Sequence, residues 1–327
     1  MIDGYNRNIS YLRVSVTDRC NLRCRYCMPK EGLSLTGHDD ILRYEEILRI
    51  IGVAVKMGVA KVRITGGEPL VRHGVVDFIA RLNDIEGLRD ISLTTNGILL
   101  ENFAAGLFTA GVKRINVSLD SLNPERYAHI TRGGNLSEVI RGIDAVHHIG
   151  FSPIKINVVV IKGVNDDEVL DFAGLTLDKP YQVRFIELMP FGSGNNSRYL
   201  SNEVVKERIG GVYPLESPLR TGAGTEGPAQ VYRIGGGRGE IGFISPVSHS
   251  FCSSCNRLRL TADGHLRACL LMDEEIDLKA PLRAGCSDEE IERLIGGAVS
   301  KKSAQHERVC SDNNLRKCAK QMFSIGG

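Results

Sequence analysis

The sequence lacks the features that would assign the chain to a membrane, a secretory route or a nucleic-acid surface. No apolar run in its 327 residues approaches the ~20 residues that a membrane helix needs. The N-terminal segment MIDGYNRNIS has no basic region followed by an apolar stretch, so we expect no secretory signal and a cytoplasmic location. A net charge of +2 is too small to attract nucleic acid or membranes in bulk. We therefore expect neither as a partner, and any bound anion must be held by a local cluster of cations.

The chain does contain nine cysteines, and in the cytoplasm these should be reduced. Metal binding or catalysis is therefore a better interpretation than a disulfide framework. Cys20, Cys24 and Cys27 share the loop RCNLRCRYCMP with C-x3-C-x2-C spacing, and no fourth cysteine lies beside them. Structural zinc sites use four protein ligands, usually in two pairs. Three thiolates suit a 4Fe-4S cluster instead, in which the fourth iron stays open for a substrate or cofactor.

Short apolar runs alternate with amphipathic segments along the first 215 residues. The predicted strands are 11–17, 61–65, 90–96, 114–120, 153–161 and 181–187. The predicted helices between them are 43–57, 73–84, 101–109, 137–149 and 166–177. This alternation predicts an α/β fold with six β-α units and a parallel sheet.

Each predicted strand has one apolar face and one polar face. Helices must cover the apolar faces, so the polar faces should converge on a common interior. A doubly wound sheet would be apolar on both faces, so we predict a barrel whose cationic lumen binds a charged ligand. The alternative is an antiparallel sheet with one wetted face, which the long intervening helices disfavour. The interior residues predicted from strand parity are Arg13, Ser15, Thr17, Lys61, Arg63, Thr65, Ser92, Thr94, Asn96, Asn116, Ser118, Asp120, Lys155, Asn157, Gln182 and Arg184.

The composition changes after Pro214. Residues 216–240 are rich in Gly, Pro and Thr, and strand-like pieces follow near 230–234, 240–244, 257–261 and 265–268. Two helical stretches close the chain. We therefore predict a barrel over residues 1–215 and a smaller α+β region over residues 216–327.

This second region carries another cysteine array, in the segment FCSSCNRLRLTADGHLRAC. Cys252, Cys255 and Cys269 have C-x2-C-x13-C spacing, so there are again three. Spacing alone leaves two interpretations open, a second cluster or a zinc site. The residues that could complete a zinc site are His249, His265 and Cys286.

The first cysteine loop resembles that of the radical S-adenosylmethionine superfamily, and a second motif supports the resemblance. The second strand runs into TGGEP, residues 65–69, which is similar to the segment that holds the methionine amino group in those enzymes. Its glycines let the backbone approach a ligand closely. The resemblance implies a reduced cluster that splits S-adenosylmethionine to give a 5′-deoxyadenosyl radical.

The whole chain is similar to the molybdenum cofactor biosynthesis protein A family, the GTP 3′,8-cyclases. The matching motifs occur in order and are TDRCNLRCRYCMP, RITGGEPL, LTTNG, INVSLDSL, KINVVVIKGVND, VRFIELMP, CSSCNRLRL and the terminal Gly326-Gly327. This resemblance implies a partial (βα)6 barrel, two 4Fe-4S clusters and S-adenosylmethionine. It also implies a lyase reaction in which the radical takes the ribose 3′ hydrogen of GTP and C3′ attacks guanine C8, giving 3′,8-cyclo-7,8-dihydro-GTP.

The resemblance assigns roles to individual residues. Its S-adenosylmethionine contacts are Tyr26, Gly67, Ser118 and Met189. Its GTP contacts are Arg13, Lys61, Arg63, Thr94, Lys155, Arg184, Arg257 and Arg259, of which Arg13, Arg257 and Arg259 are also assigned to catalysis. Several of these positions are the interior residues predicted independently from strand parity, and guanidinium groups suit a triphosphate. Cys286, Cys310 and Cys318 have no role in the family pattern.

Two other functions remain open from the residues themselves. A radical enzyme that modifies a peptide predicts a groove for an extended chain and no arginine cluster in the lumen. An electron carrier with two clusters is disfavoured because carriers complete each cluster with four ligands. The partners implied by the resemblance are an electron donor, a downstream pyranopterin-forming enzyme and a second copy of the chain.

Overall fold

The computed structural model describes residues 1–32, 37–189, 191, 198–216, 218–219, 227–305 and 322–326. Cys310, Cys318 and Gly327 lie outside these described residues. Among the residues that are described, no helix is long and apolar enough to span a membrane.

One sheet organises the described chain. Its strands are β1 Tyr11–Ser15, β2 Lys61–Thr65, β3 Asp90–Thr95, β4 Arg114–Ser118, β5 Ile154–Val160, β6 Tyr181–Glu187, β7 Gln230–Tyr232, β8 Glu240–Ile244, β9 Arg257–Leu260, β10 His265–Arg267 and β11 Ile276–Asp277. Strands β1 to β6 lie side by side in chain order and are parallel, which confirms the six predicted β-α strands and the partial barrel.

Strands from the C-terminal region extend this sheet at both edges. Strand β9 pairs parallel with β1, and β8 pairs parallel with β6. Strands β10 and β7 then add antiparallel to β9 and β8. The C-terminal residues therefore continue the barrel wall on both sides, and the division at residue 215 stays a prediction.

Nine α-helices accompany the sheet within the described residues. They are α1 Tyr44–Lys56, α2 Val75–Asn83, α3 Leu100–Thr109, α4 Pro124–Thr131, α5 Leu136–Ile149, α6 Val169–Asp178, α7 Asn202–Gly210, α8 Lys279–Arg283 and α9 Asp288–Ser300. The sequence pattern did not predict α4 or α7. Helix α4 is short, and a local cap starts it, because the Asn123 side chain accepts a hydrogen bond from the backbone N–H of Arg126 at 3.0 Å.

The apolar core lies between the sheet and its helices. It contains the predicted apolar strand face, including Val14, Ile64 and Val117, all fully buried. The opposite strand faces carry buried polar residues such as Asn116 and Arg184. The interior of the barrel is therefore polar, as strand parity predicted.

Candidate active site

A cavity of about 300 Å³ opens at the carboxyl ends of the parallel strands. Both cysteine arrays line it, although Cys252 lies 225 positions after Cys27 in the sequence. The lining also includes Arg13, Tyr26, Arg63, Gly67, Thr94, Ser118, Arg184, Met189, Arg257 and Arg259. The fold thus brings most of the predicted site residues together, while their individual roles remain predictions.

The first cysteine loop is held against helix α4. The backbone N–H groups of Arg23 and Arg25 donate to the carbonyls of Thr131 and Ile130, at 3.1 and 2.9 Å. The Arg132 guanidinium donates to the carbonyl of Arg23 at 2.7 Å. These contacts fix the loop backbone, so the thiols of the array do not depend on a bound group for their approximate positions.

The TGGEP turn runs directly under this loop. A Cβ atom on Gly67 would lie 2.3 Å from the carbonyl oxygen of Arg19, and one on Gly66 would lie 2.7 Å from that of Thr17. Only glycine permits such an approach. The backbone of Glu68 then donates to the Arg19 carbonyl at 2.8 Å, which joins the two motifs.

The Glu68 carboxylate is buried beneath the cavity floor. It accepts hydrogen bonds from the Thr95 hydroxyl and from the backbone N–H groups of Asn96 and Leu70, at 2.8, 2.7 and 3.1 Å. Burial raises the pKa of this carboxyl to about 7. Glu68 therefore ties β3 to the turn after β2 at the edge of the site.

Asp120 is a second buried carboxylate, for which strand parity predicts an interior position but no role. It accepts a hydrogen bond from the Tyr26 hydroxyl at 2.6 Å and another from the backbone N–H of Val159 at 2.9 Å. Burial raises the pKa of Asp120 to about 6. The carboxylate thus orients the side chain of Tyr26, which lies between the predicted cluster ligands Cys24 and Cys27 in the sequence.

Arginines form a row across the sheet. Arg259, Arg13 and Arg63 occupy neighbouring positions in the register of β9, β1 and β2. Burial and the adjacent Arg259 hold the pKa of Arg13 well below its usual range, and burial and Arg257 lower the pKa of Arg259 to about 9. Like charges this close in a buried site are costly unless an anion accompanies them.

Three buried polar atoms of residues that line the cavity have no hydrogen-bond partner among the described residues. They are the Tyr11 hydroxyl, the Thr94 hydroxyl and the Asn157 side-chain oxygen. Buried polar groups are nearly always paired in folded proteins. Their position in a cationic cavity indicates a polar ligand.

Lys61 and Lys155, which are also predicted to contact GTP, are not among the residues that line the cavity. Both lie near the amino ends of their strands. Lys61 contacts Asp90 at 3.1 Å, and burial lowers its pKa to about 7. Burial and the nearby Arg184 lower the pKa of Lys155 to about 6. They form a deeper layer of cations behind the arginines.

The second cysteine array begins in a short 3-10 turn, Cys252–Ser254, and continues into β9. The backbone N–H of Cys255 donates to the Cys252 carbonyl at 3.1 Å. Cys269 follows the end of β10 and completes the array at the cavity wall.

The residues that could complete a zinc site here are all absent from the cavity lining. His249 contacts Glu203 at 3.4 Å, and His265 contacts Asp263 at 3.2 Å. These placements disfavour the zinc interpretation of the second array.

The C-terminal segment reaches the barrel interior. The carbonyl of Gly326 accepts a hydrogen bond from the Arg259 guanidinium at 2.6 Å. Gly326 has a φ of +70°, and a Cβ atom there would approach Thr65 at 3.2 Å. Ile325 is fully buried against Phe191. The described part of the tail therefore lies beside the arginine row.

Two family models match the chain. That of the radical SAM superfamily matches residues 14–176, and that of Molybdenum Cofactor Synthesis C matches residues 181–308. Among solved structures, Streptococcus suis SuiB bound to S-adenosylmethionine has a TM-score of 0.55 at 14% identity, with 81% of this chain and 61% of that chain covered. At this identity the likeness shows the fold alone.

The sequence relatives are much closer. The chain is 52% identical to the GTP 3′,8-cyclase of Moorella thermoacetica and 49% identical to that of Heliobacterium modesticaldum, with 100% of both chains covered in each comparison. As a member of the radical SAM superfamily, the protein is an enzyme that uses S-adenosylmethionine together with an iron-sulfur cluster. The similarity over the full length shows that the chain belongs to the GTP 3′,8-cyclase family.

Proposed function

We propose that this protein converts GTP to 3′,8-cyclo-7,8-dihydro-GTP in the barrel cavity, as the first step of molybdenum cofactor synthesis. The observation that carries the proposal is the joint lining of one cavity by two cysteine arrays and five arginines. An electron carrier needs no such cavity. A peptide-modifying enzyme predicts a lumen without the arginines.

In this proposal the two arrays hold two 4Fe-4S clusters, with Cys20, Cys24 and Cys27 as ligands of the first and Cys252, Cys255 and Cys269 as ligands of the second. All six thiols are free and partly accessible, and all face the cavity. Three thiolates leave one iron of each cluster open. When bound, the first cluster and S-adenosylmethionine supply the 5′-deoxyadenosyl radical that takes the ribose 3′ hydrogen before C3′ attacks guanine C8.

Tyr26, Gly67, Ser118 and Met189 are proposed to hold S-adenosylmethionine. All four residues line the cavity, and contacts with neighbouring groups fix the positions of two of them. Tyr26 is oriented by Asp120, and the Gly67 backbone is fixed against the cysteine loop. These residues would orient the cofactor and keep water from the reacting carbon.

The GTP triphosphate is proposed to bind the arginine row. Arg63, Arg257 and Arg259 make no ion pair with a carboxylate among the described residues. Their side chains contact, among others, a hydroxyl, an aromatic ring and a backbone carbonyl, respectively. A bound triphosphate would supply the missing anionic partners, with bidentate hydrogen bonds from each guanidinium.

The remaining predicted site residues complete this arrangement. Arg13 and Arg184 would contact the same triphosphate, and Thr94 would use its unpaired hydroxyl. Lys61 and Lys155 would act from behind the arginines, through their positive charge. The open iron of the second cluster would face the guanine base.

Partners beyond GTP belong to the same proposal. The reaction needs an electron donor to reduce the first cluster, and a downstream pyranopterin-forming enzyme to consume the product. A homodimer stays a prediction from the family resemblance, and a cytoplasmic location stays a prediction from the N-terminal sequence.

The test is incubation of the reduced, cluster-loaded protein with S-adenosylmethionine and GTP that carries deuterium at C3′. We expect 5′-deoxyadenosine that contains the deuterium, together with a cyclised nucleotide, both measured by mass spectrometry. GTP deuterated at C2′ is the control and should transfer none. Unlabelled 5′-deoxyadenosine from the C3′-labelled substrate, without cyclised product, would contradict the proposed reaction.

A further inference from the structure

Lys302 is a buried lysine beside the second cysteine array. No motif or pattern in the sequence indicated a role for it. Its side chain lies just after α9 and is only 3% exposed. The ammonium donates to the Cys255 sulfur at 3.5 Å and to the carbonyls of Arg257 and Ala268 at 3.0 and 2.7 Å. The three N–H donors of the lysine are thus matched by three acceptors.

These acceptors belong to the two segments that carry cluster ligands. Arg257 lies two residues after Cys255, and Ala268 lies directly before Cys269. The ammonium therefore joins the two segments and holds them at a fixed separation.

Arg7 fixes the third ligand and Lys302 itself. Its guanidinium donates to the Cys252 carbonyl at 2.7 Å and to the Lys302 carbonyl at 3.2 Å. Asp3 holds Arg7 in place through an ion pair at 2.6 Å. The N-terminal turn and the residues after α9 thus meet on the backbone of this array.

The charge of Lys302 points to an anionic neighbour. It forms no ion pair with a carboxylate among the described residues, and the Cys255 sulfur is the one acceptor of the three that can carry a negative charge. A buried cation is costly unless an anion compensates it.

We propose that Lys302 is a positioning residue for the second cluster, and that its buried positive charge favours the reduced state of that cluster. The inference rests on the proposed assignment of a 4Fe-4S cluster to Cys252, Cys255 and Cys269. One electron enters from a one-electron reductant such as dithionite, no bond breaks and no proton moves. The negative charge beside the ammonium grows by one unit, and its attraction to the lysine grows with it.

The physical basis is general for iron-sulfur proteins. Reduction potentials depend on the net charge around the cluster and on hydrogen bonds to its sulfurs. Lys302 supplies a positive charge and a hydrogen bond at the Cys255 sulfur, from a site shielded from water. Lys301 carries the same charge one residue earlier but is exposed, so solvent and salt should screen it.

The experiment compares Lys302→Met, Lys302→Arg and the matched control Lys301→Met. Each is examined as the two-cluster enzyme and in a Cys24→Ala background, in which we expect the second cluster to remain alone. Iron and sulfide content are measured first, followed by dithionite titration monitored by electron paramagnetic resonance. We expect Lys302→Met to make one-electron reduction of the second cluster about tenfold less favourable, or about 59 mV lower in potential. Lys302→Arg and Lys301→Met should stay close to wild type.

The outcomes separate the inference from the proposed function. Zinc, or no iron, at the second array of the wild-type protein would overturn the cluster assignment. A loaded cluster whose potential is unchanged in Lys302→Met would overturn the role of Lys302 alone. If Lys302→Met loses the cluster, retention in Lys302→Arg supports the need for the charge, and loss in both variants contradicts it.

Discussion

The two cysteine arrays face one cavity with the same number of thiols, yet they lie in opposite electrostatic surroundings. Around the first array, burial together with the buried carboxylates Glu68 and Asp120 raises the pKa values of Cys20 and Cys24 respectively, and the cation that opposes this effect at Cys20 is Arg23. Burial, followed by the effect of Asp120, raises the pKa of the Cys24 thiol well above its usual range. Negative charge is thus already present where this cluster is proposed to bind.

The second array has cationic neighbours instead. Arg257 and Lys302 lie against Cys255, and together they outweigh burial and lower the pKa of its thiol to about 7. An anionic, three-thiolate cluster would be stabilised in this position. With the proposed clusters bound, carboxylates near the first array would favour loss of an electron from its cluster, and cations near the second would favour retention of an electron.

The comparison shows how one ligand type can serve two purposes. The first site would deliver an electron to S-adenosylmethionine, which suits an environment that disfavours the reduced state. The second site would hold an electron-rich nucleotide base next to a triphosphate, which suits an environment rich in positive charge. Four experiments test this difference, in decreasing order of expected effect.

Cys24→Ala should abolish 5′-deoxyadenosine formation, because the first cluster loses one of its three ligands. About half of the bound iron should be lost, since the second array is intact. Iron analysis and a 5′-deoxyadenosine assay measure the two effects. Cys286→Ala is the matched control, because this cysteine does not line the cavity. Wild-type amounts of 5′-deoxyadenosine from Cys24→Ala would refute the assignment of the first loop.

Cys255→Ala should remove cyclised product while slow, uncoupled cleavage of S-adenosylmethionine survives. The first cluster keeps its ligands, but the guanine base loses the site that orients it. Product and 5′-deoxyadenosine are quantified in the same reaction mixtures. If the two fell in equal proportion, or if the purified wild-type protein held zinc at the second array, the separate roles of the arrays would be wrong.

Arg259→Ala should weaken GTP binding about ten- to a hundredfold, because a charge-assisted contact to phosphate is worth roughly 1.5 to 3 kcal/mol. Guanosine lacks the triphosphate, so its affinity should change little. Calorimetry on the cluster-loaded protein compares the two ligands. Arg283→Ala, an exposed arginine paired with Glu46, is the control. Equal, unchanged affinities for GTP would eliminate the arginine row as the phosphate site.

In the cluster-free protein, the alkylation rates of Cys24 and Cys255 should depend differently on pH. Cys255 is mainly a thiol below its pKa of about 7 and a thiolate above it, so its rate should level off near neutral pH. The rate of Cys24 should still rise in the alkaline range, since its pKa is raised. Peptide mass spectrometry follows each site over a pH series. Lys302→Met should move the Cys255 midpoint upward, and coincident profiles for the two thiols would contradict the comparison.

The six β-α strands and the polar interior could be predicted from sequence because both follow from local patterns. Alternation along a strand places Arg13 and Arg63 on one face whatever they contact. The spacing of the cysteines likewise marked both arrays. Helices α4 and α7 were missed because they are short, and their stability comes from packing more than from pattern.

The contacts of particular site residues could not be predicted in this way. Lys61 and Lys155 lie on the polar strand face that strand parity predicts. They are near the amino ends of their strands, however, and are not among the residues that line the cavity. Asp120 has the right face too, and only the fold shows that its carboxylate holds Tyr26. Strand parity predicts which face of the sheet a side chain occupies. It does not predict how far along the barrel axis the side chain lies or which group it contacts.

By itself, the sequence determined the spacing of the cysteines in each array, the polar barrel face and the family, since each depends on residue type and spacing along the chain. The tertiary structure alone decided what surrounds each cysteine array. Arg7 reaches Cys252 across 245 residues of sequence, and Lys302 reaches Cys255 across 47. The burial of a charge and its distance from a thiolate are set by how the chain closes on itself, and electrostatic energies depend on both.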